Sequence, residues 1–289
     1  MDEVFVSGSF DDLRSRHIRF LTEAARYGRL TVVLWPDALV ASLTGSPPRF
    51  GLEERLYLLE SLRMVEQVIV APVDFDPERP ALPQQLSGGR PAARETGGTW
   101  VLTGDIGGPD EAAVERTRLW LGRNGIGCRV LGAGELAGFP YSPPPHEPGP
   151  GTGRKRVVVT GCYDWFHSGH ARFFEEAAAY GELNVVIGSD VNVRLLKGEG
   201  HPLIPENERR FVVGSMRAVT RCLVSSGSGW LDAEPEIRAL GIGRYVVNED
   251  GDKAEKRRFC EENGIEYIVL KRTPKAGLPR RASTDMRGF

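Results

Sequence analysis

Short apolar runs rich in β-branched residues alternate along the chain with longer amphipathic stretches. VFVSG (4–8) and RVVVTG (156–161) are almost wholly apolar, as strands covered on both faces of a parallel sheet should be. Each leads through a polar turn into apolar residues at helical spacing, HIRFLTEAARYG (17–28) and HARFFEEAAAYG (170–181). A second apolar run follows, LTVVLW (30–35) or LNVVI (183–187), which completes a β-α-β crossover. Further on come a charged helix (ENERRFVVGSMRAV, 206–219), strands RCLVSS (221–226) and RYVVNED (244–250), a helix DKAEKRRFCEENG (252–264) and a strand IEYIVLKR (265–272). Strands alternating with helices predict the α/β class with doubly wound parallel sheets.

The pattern occurs twice. Residues 4–37 and 157–190 align without a gap, bringing Gly8 onto Gly161, Asp11 onto Asp164, His17 onto His170, Phe20 onto Phe173, Tyr27 onto Tyr180 and Asp37 onto Asp190. After a one-residue shift, EERLYLLESLRMV (53–65) answers NERRFVVGSMRAV (207–219). The expected architecture is two tandem Rossmann-like domains related by internal duplication. A Pro/Gly-rich stretch without apolar periodicity separates them, so the predicted boundaries are 1–136 for the first domain, 137–155 for a linker and 156–289 for the second.

Composition narrows the function. Of 289 residues, 40% are hydrophobic and 26% charged, enough for two cores, and the net charge of −2 argues against gripping a nucleic-acid backbone. Nothing approaches the roughly 20 apolar residues of a membrane span. The N-terminus carries two acids and no basic leader region, and the four cysteines have no zinc or redox spacing. The expectation is a cytoplasmic protein with no membrane and no nucleic-acid partner.

The chemistry concentrates in GCYDWFHSGH (161–170), which joins a strand to a helix. In open α/β sheets ligands sit at the carboxyl ends of strands, beside the reversal in strand order. His167 and His170 lie one helical turn apart at a helix start, where free backbone N–H groups already favour an anion. Gly169 removes a side chain where a phosphate would approach. The pocket can therefore donate several hydrogen bonds to a phosphoryl group as its charge grows.

These residues resemble the HxGH nucleotidyltransferases, in particular the cytidylyltransferase-like group with its glycerol-phosphate and ethanolamine-phosphate cytidylyltransferases and heptose-phosphate adenylyltransferases. The resemblance extends to LLKGEGHPLIPENERR (195–210), to VVNEDGDK (246–253) in place of an acidic nucleotide-side loop, and to KRTPKAGLPRRASTDMR (271–287) in place of a closing Arg-Thr…Ser-Thr-Thr motif. It implies attack by an acceptor phosphate oxygen on the α-phosphorus of a nucleoside triphosphate, with release of pyrophosphate. His167, His170 and Lys197 are then the catalytic candidates. Gly161, Cys162, Tyr163, Asp164, Gly169, Arg209, Asn248, Asp250, Arg272, Ser283 and Thr284 are the nucleotide-binding candidates. Mg²⁺ is expected, carried mostly by triphosphate oxygens and water, with Asp164 within possible reach and no further protein ligand. GCYD and KRT…ST favour CTP, whereas LKGEGHP points to ATP. The acceptor would be a small phosphorylated alcohol, sugar or phosphonate, with Trp165, Phe166 and the 225–235 loop near it. His201 reads as a surface residue. Asp285 departs from the closing motif and would repel a triphosphate.

In the first copy Arg14-Ser15-Arg16-His17 replaces His167-Ser168-Gly169-His170, and Thr44 replaces Lys197. It reads as a degenerate, pseudo-catalytic domain, a built-in partner forming an intramolecular pseudo-dimer, with a further homodimer open. Arg14, Arg16 and Arg55 remain as anion candidates. The competing reading for the whole chain is an inactive nucleotide-binding sensor or scaffold.

Overall fold

The structure, a computed structural model, describes residues 2–80, 98–104, 111–140 and 155–281. The chain divides into two compact units, Met1–Gly138 and Phe139–Phe289. Of the expected linker, residues 141–154 lie outside the described residues.

The first unit contains strands β1 (Glu3–Gly8), β2 (Arg29–Leu34), β3 (Val65–Val70), β4 (Thr99–Leu102) and β5 (Gly127–Val130). Its helices are α1 (Ser15–Ala24), α2 (Asp37–Thr44), α3 (Leu52–Glu60), α4 (Glu111–Arg123) and the short α5 (Ala133–Leu136). The second unit follows the same plan with β6 (Arg156–Gly161), β7 (Glu182–Ile187), β8 (Arg221–Val224), β9 (Arg244–Asn248) and β10 (Glu266–Leu270). Its helices are α6 (Ser168–Ala178), α7 (Asp190–Lys197), α8 (Glu206–Gly214), α9 (Glu234–Leu240) and α10 (Ala254–Glu262). The strand orders are β3-β2-β1-β4-β5 and β10-β9-β6-β7-β8, and every pairing is parallel. The α/β class with two Rossmann-like parallel sheets is therefore as expected. Val157, Val158 and Val159 are all fully buried, because a central strand with helices on both faces has no solvent side to alternate toward.

The order of each sheet reverses beside its first strand, between β1 and β4 and between β6 and β9. One buried arginine in each unit ties together the loops after the first two strands, on one side of that reversal. Arg209, 1% exposed, donates from Nε to the Ile204 carbonyl at 2.8 Å, from Nη1 to the Cys162 carbonyl at 2.7 Å, and from Nη2 to the Gly188 carbonyl at 2.9 Å and Asp190 Oδ1 at 2.7 Å. Arg55 donates to Phe50 O, Ser9 O, Trp35 O and Asp37 Oδ1 at matching positions of the repeat. A carboxylate completes each arrangement. Asp164 accepts from the backbone N–H groups of Leu203 and Ile204, and Asp11 from those of Arg49 and Phe50.

Among the described residues no helix is long and apolar enough to cross a membrane. All four cysteines are free.

Arg209→Met would strand three carbonyls and a carboxylate that the guanidinium now satisfies. It is expected to destabilise the second unit by about 3–5 kcal/mol, seen as a lowered melting transition, while Arg→Met at the exposed Arg194 leaves it unchanged.

Candidate active site

The loop from β6 to α6 is held in one shape before any ligand arrives. Tyr163 takes a left-handed backbone conformation, φ 52°, and its ring lies under Gly161, where a Cβ would come within 2.8 Å of Tyr163 Cζ. Phe10 repeats this beneath Gly8, with φ 45°. Tyr163 then meets His170 and Phe174 edge-on, each at 5.1 Å between centroids. Phe166 packs on the same two rings at 5.5 and 5.9 Å. Both aromatics brace the His170 ring from behind.

His167 is the N-cap of α6, and its Nδ1 accepts the Gly169 N–H at 3.1 Å. With Nδ1 accepting, a neutral ring carries its proton on Nε2. His167 is fully buried and stacks on His170 with centroids 3.9 Å apart. His167 Nε2 and His170 Nδ1 are buried without a hydrogen-bond partner. Gly169 is required by this geometry, since a Cβ there would sit 3.0 Å from the His167 ring.

Burial drives the electrostatics. It lowers the His167 pKa to about 3, with the Arg272 and Arg281 charges adding to the effect. His170 is lowered well below its usual range by burial, then by His167, Arg272 and Lys197. At neutral pH the pair is thus an uncharged donor set surrounded by cations.

The structure brings several expected residues together. Gly169, Asn248 and Arg272 line one small cavity of about 20 Å³, joined by Lys271, Arg280 and Arg281. Arg272 Nη1 pairs with Asp250 at 2.8 Å and Nη2 donates to the Arg281 carbonyl at 2.8 Å, which fixes the segment after β10 beside the histidines. Lys197 ends α7 and lies close enough to the half-buried Cys162 to pull its thiol pKa down, although burial prevails and raises it. Cys162 contributes its carbonyl to Arg209.

Three expectations change. Arg209 is enclosed and its donors are engaged by protein, so it shapes the loop and has no face to offer a phosphate. Both Asp164 oxygens accept backbone N–H groups, which makes Asp164 a brace between this loop and residues 203 and 204. His201 is 9% exposed and stands 3.5 Å from Asp164, not on the surface. Ser283, Thr284 and Asp285 lie outside the described residues. Arg281 was the residue missed: it adjoins the closing motif, but only the fold shows it near His167.

Among the described residues no group of three or more His, Cys, Asp or Glu could hold a metal ion. In the first unit the donor geometry is closed off. His17 Nδ1 accepts the Arg14 N–H at 3.0 Å, and the Arg14 side chain pairs with Asp12 at 2.8 Å.

Residues 158–275 match the model of the cytidylyltransferase-like family. An FAD synthase of Methanolacinia petrolearia is 34% identical over 122 residues, which cover 40% of this chain and 77% of that protein. The chain belongs to the cytidylyltransferase-like family. The bifunctional protein HldE of Pelobacter propionicus is 31% identical over 129 residues, 40% of this chain and 26% of HldE. That of Geobacter metallireducens is 40% identical over 132 residues, 41% and 27%. The match therefore spans about a quarter of the length of these curated relatives.

For this cytidylyltransferase-like chain the histidine burial has a pH signature. Unfolded histidine titrates near pH 6.5 and His167 at about 3, so between those values the unfolded state binds more protons. Stability from the neutral ring is full above about pH 6.5 and declines as pH falls toward 3. The unfolding free energy of the wild type, measured by denaturant titration, should drop more steeply over that window than that of His167→Asn, by up to about 1.4 kcal/mol per pH unit in the difference.

Proposed function

We propose that the second unit transfers a nucleotidyl group from ATP or CTP to a small phosphorylated alcohol, sugar or phosphonate. An acceptor phosphate oxygen attacks the α-phosphorus, the bond to the β-phosphate bridging oxygen breaks, and pyrophosphate leaves. The observation that carries this reading is the stacked, uncharged imidazole pair with unpartnered ring nitrogens at the strand reversal. His167 Nε2–H and His170 would donate to the α-phosphoryl oxygens, where charge builds in the transition state. Lys197, Arg272 and Arg281 supply positive charge around them. Ser283 and Thr284 would add hydroxyl donors to the β- and γ-phosphates. Mg²⁺ would arrive with the triphosphate, held mostly by its oxygens and by water.

The motif resemblance favours CTP. FAD synthase relatives favour ATP, because FAD is an adenylyl conjugate. Acceptor identity follows from neither.

The matching arginine clamps, paired carboxylates and left-handed Phe10 and Tyr163 support descent of the two units from one duplicated ancestor. The loss of His167 and Gly169 equivalents supports a first unit without transfer activity.

The test is pyrophosphate release from the full chain with ATP or CTP and a panel of phosphorylated acceptors. Turnover is expected with one triphosphate, and His167→Ala should lower it about 10²–10³-fold while the protein stays folded and still binds nucleotide. Nucleotide binding with no pyrophosphate from any acceptor would overturn the transfer reading in favour of a sensor.

A further inference from the structure

A second polar cluster of the second unit lies at the carboxyl ends of β6 and β7, on the sheet face where α9 and α10 pack around Tyr245. Thr160, next to last in β6, shares a hydrogen bond of 2.7 Å with the Tyr245 hydroxyl and accepts one of 3.1 Å from the Lys256 amine. That amine rests 5.4 Å from the centre of the Tyr245 ring. Asp232 arrives from the loop after β8, and its Oδ2 stands over Gly188, where a Cβ would be 3.5 Å away. Gly188 follows β7 and donates its N–H to the Gly161 carbonyl at 3.0 Å. The carboxylate therefore stands beside the strand that leads into the imidazole loop.

Two residues of this cluster are costly unless a ligand uses them. Lys256 is the third residue of α10 and is 7% exposed. A cation in a first turn opposes the helix dipole, and burial strips it of water. Burial lowers its pKa, although the Asp232 charge raises it. In the first unit the same place holds the uncharged Thr117: Thr117 and Lys256 stand equally far ahead of Gly127 and Glu266, which pair with β4 and β9 at corresponding residues. Asp232 is 9% exposed, and among the described residues its carboxylate takes part in no hydrogen bond or ion pair, yet its oxygens are not sealed from solvent. The loop that carries it is fixed. The Gly227 N–H donates to the Asp232 carbonyl at 2.9 Å, and the Asn192 amide of α7 makes two hydrogen bonds to the Gly229 backbone. Thr160 is only half-buried despite its place in the central strand, so the cluster has an opening. Local rules broken in this way mark places where function outweighs stability.

The charges select the ligand. An anion would meet the unpaired Asp232 carboxylate, and a cation would meet the Lys256 ammonium. A neutral group that both donates and accepts suits the two together: its O–H groups donate to Asp232, and its oxygens accept from Lys256 and Thr160. Among the described residues the cations that act on the imidazoles are Arg272, Arg281 and Lys197, not Lys256, which sets this cluster apart from the phosphate-facing charges. Resting on the transfer reading above, we propose that Asp232, Lys256 and Thr160 bind a vicinal diol of the acceptor. The acceptor is then a phosphorylated polyol or sugar, and a phosphorylated amino alcohol is disfavoured by the buried amine.

The test is calorimetric titration of the full chain with glycerol 3-phosphate, ribose 5-phosphate, glucose 1-phosphate and phosphoethanolamine, in the presence of the α,β-methylene analogues of CTP and ATP. At least one of the three polyol phosphates should bind, and phosphoethanolamine about tenfold or more weakly than it. Asp232→Asn and Lys256→Met should each weaken that polyol phosphate by about tenfold or more, with binding of the triphosphate analogue changed less than about twofold. Asp232→Asn keeps the side-chain outline, so the outcome stays readable if Lys256→Met fails to fold. Binding of no polyol phosphate, equal binding of phosphoethanolamine, or an unaltered affinity in Asp232→Asn overturns the proposal. So does a loss confined to the triphosphate analogue, which would assign the contact to the ribose. Polyol phosphate binding that Asp232→Asn weakens, with no pyrophosphate released by the wild type, would support the diol subsite and overturn the transfer reading alone.

Discussion

The site depends on a guanidinium whose donors are engaged by the protein itself. Arg209 reaches three chain segments from one buried position: the loop after β6 through Cys162, the end of β7 through Gly188 and Asp190, and the turn before α8 through Ile204. Each carbonyl would otherwise be buried without a partner, so the three segments cannot separate without leaving unmet polar groups. The imidazoles gain their orientation from this arrangement, since the loop that carries His167 begins where Arg209 grips it. Asp164 adds a second tie from the same loop to residues 203 and 204. Arg55 and Asp11 make the same two ties in the first unit, where Arg14 stands in place of the first histidine. The clamp is therefore present with or without the imidazole pair: in each unit it holds together the loops after the first two strands.

His167 and Gly169 form a coupled pair of a different kind. The His167 ring caps α6 through the Gly169 N–H, and it leaves no room for a side chain at 169. Once an arginine replaces the histidine, nothing demands glycine two residues later, and Arg16 is admitted without a clash against a ring. The N-terminus of α1 then recovers a hydrogen bond from the other end of the motif, through His17 Nδ1 and the Arg14 N–H. That bond occupies the nitrogen whose counterpart on His170 is left without a partner. Without the capping histidine, the constraint on the position two residues later is relaxed and the donor geometry is closed.

Most of the fold was legible in the chain. Apolar runs such as VVV at 157–159 can only be strands covered on both faces, and their alternation with amphipathic stretches requires crossovers and hence parallel sheets. The histidines were legible too, because a strand, a glycine turn and a helix start leave few places for them to point. The charged residues were not. Arg209 and Asp164 look like ligand contacts in a motif, yet both are engaged by backbone groups brought in from 21 to 47 residues away, a relation with no local trace. His201 follows a glycine and precedes a proline, as exposed residues often do, but Asp164 draws it inward. Arg281 belongs to the site only because Arg272 donates to its carbonyl and turns the segment back. Local pattern reports backbone state and burial. It does not report which distant carbonyl a long cationic side chain will satisfy.

The distribution of charge follows from that geometry. A protonated imidazole would be costly to bury at the centre of the site, and burial together with Arg272 keeps both rings neutral, with Arg281 adding at His167 and Lys197 at His170. A neutral N–H still donates to an anion, and its strength rises in a water-poor setting. The full positive charges stand farther out, on the partly exposed Arg272 and on Lys197 at the end of α7, where desolvation is smaller and a long side chain can follow a phosphate as it moves. In the proposed transfer, fixed uncharged donors would stand at the reacting phosphorus and cations around the leaving group, which would reconcile a buried centre with a highly charged substrate. The opposite layout, cations inside and neutral donors outside, would require the fold to bury charge before any phosphate was present to offset it.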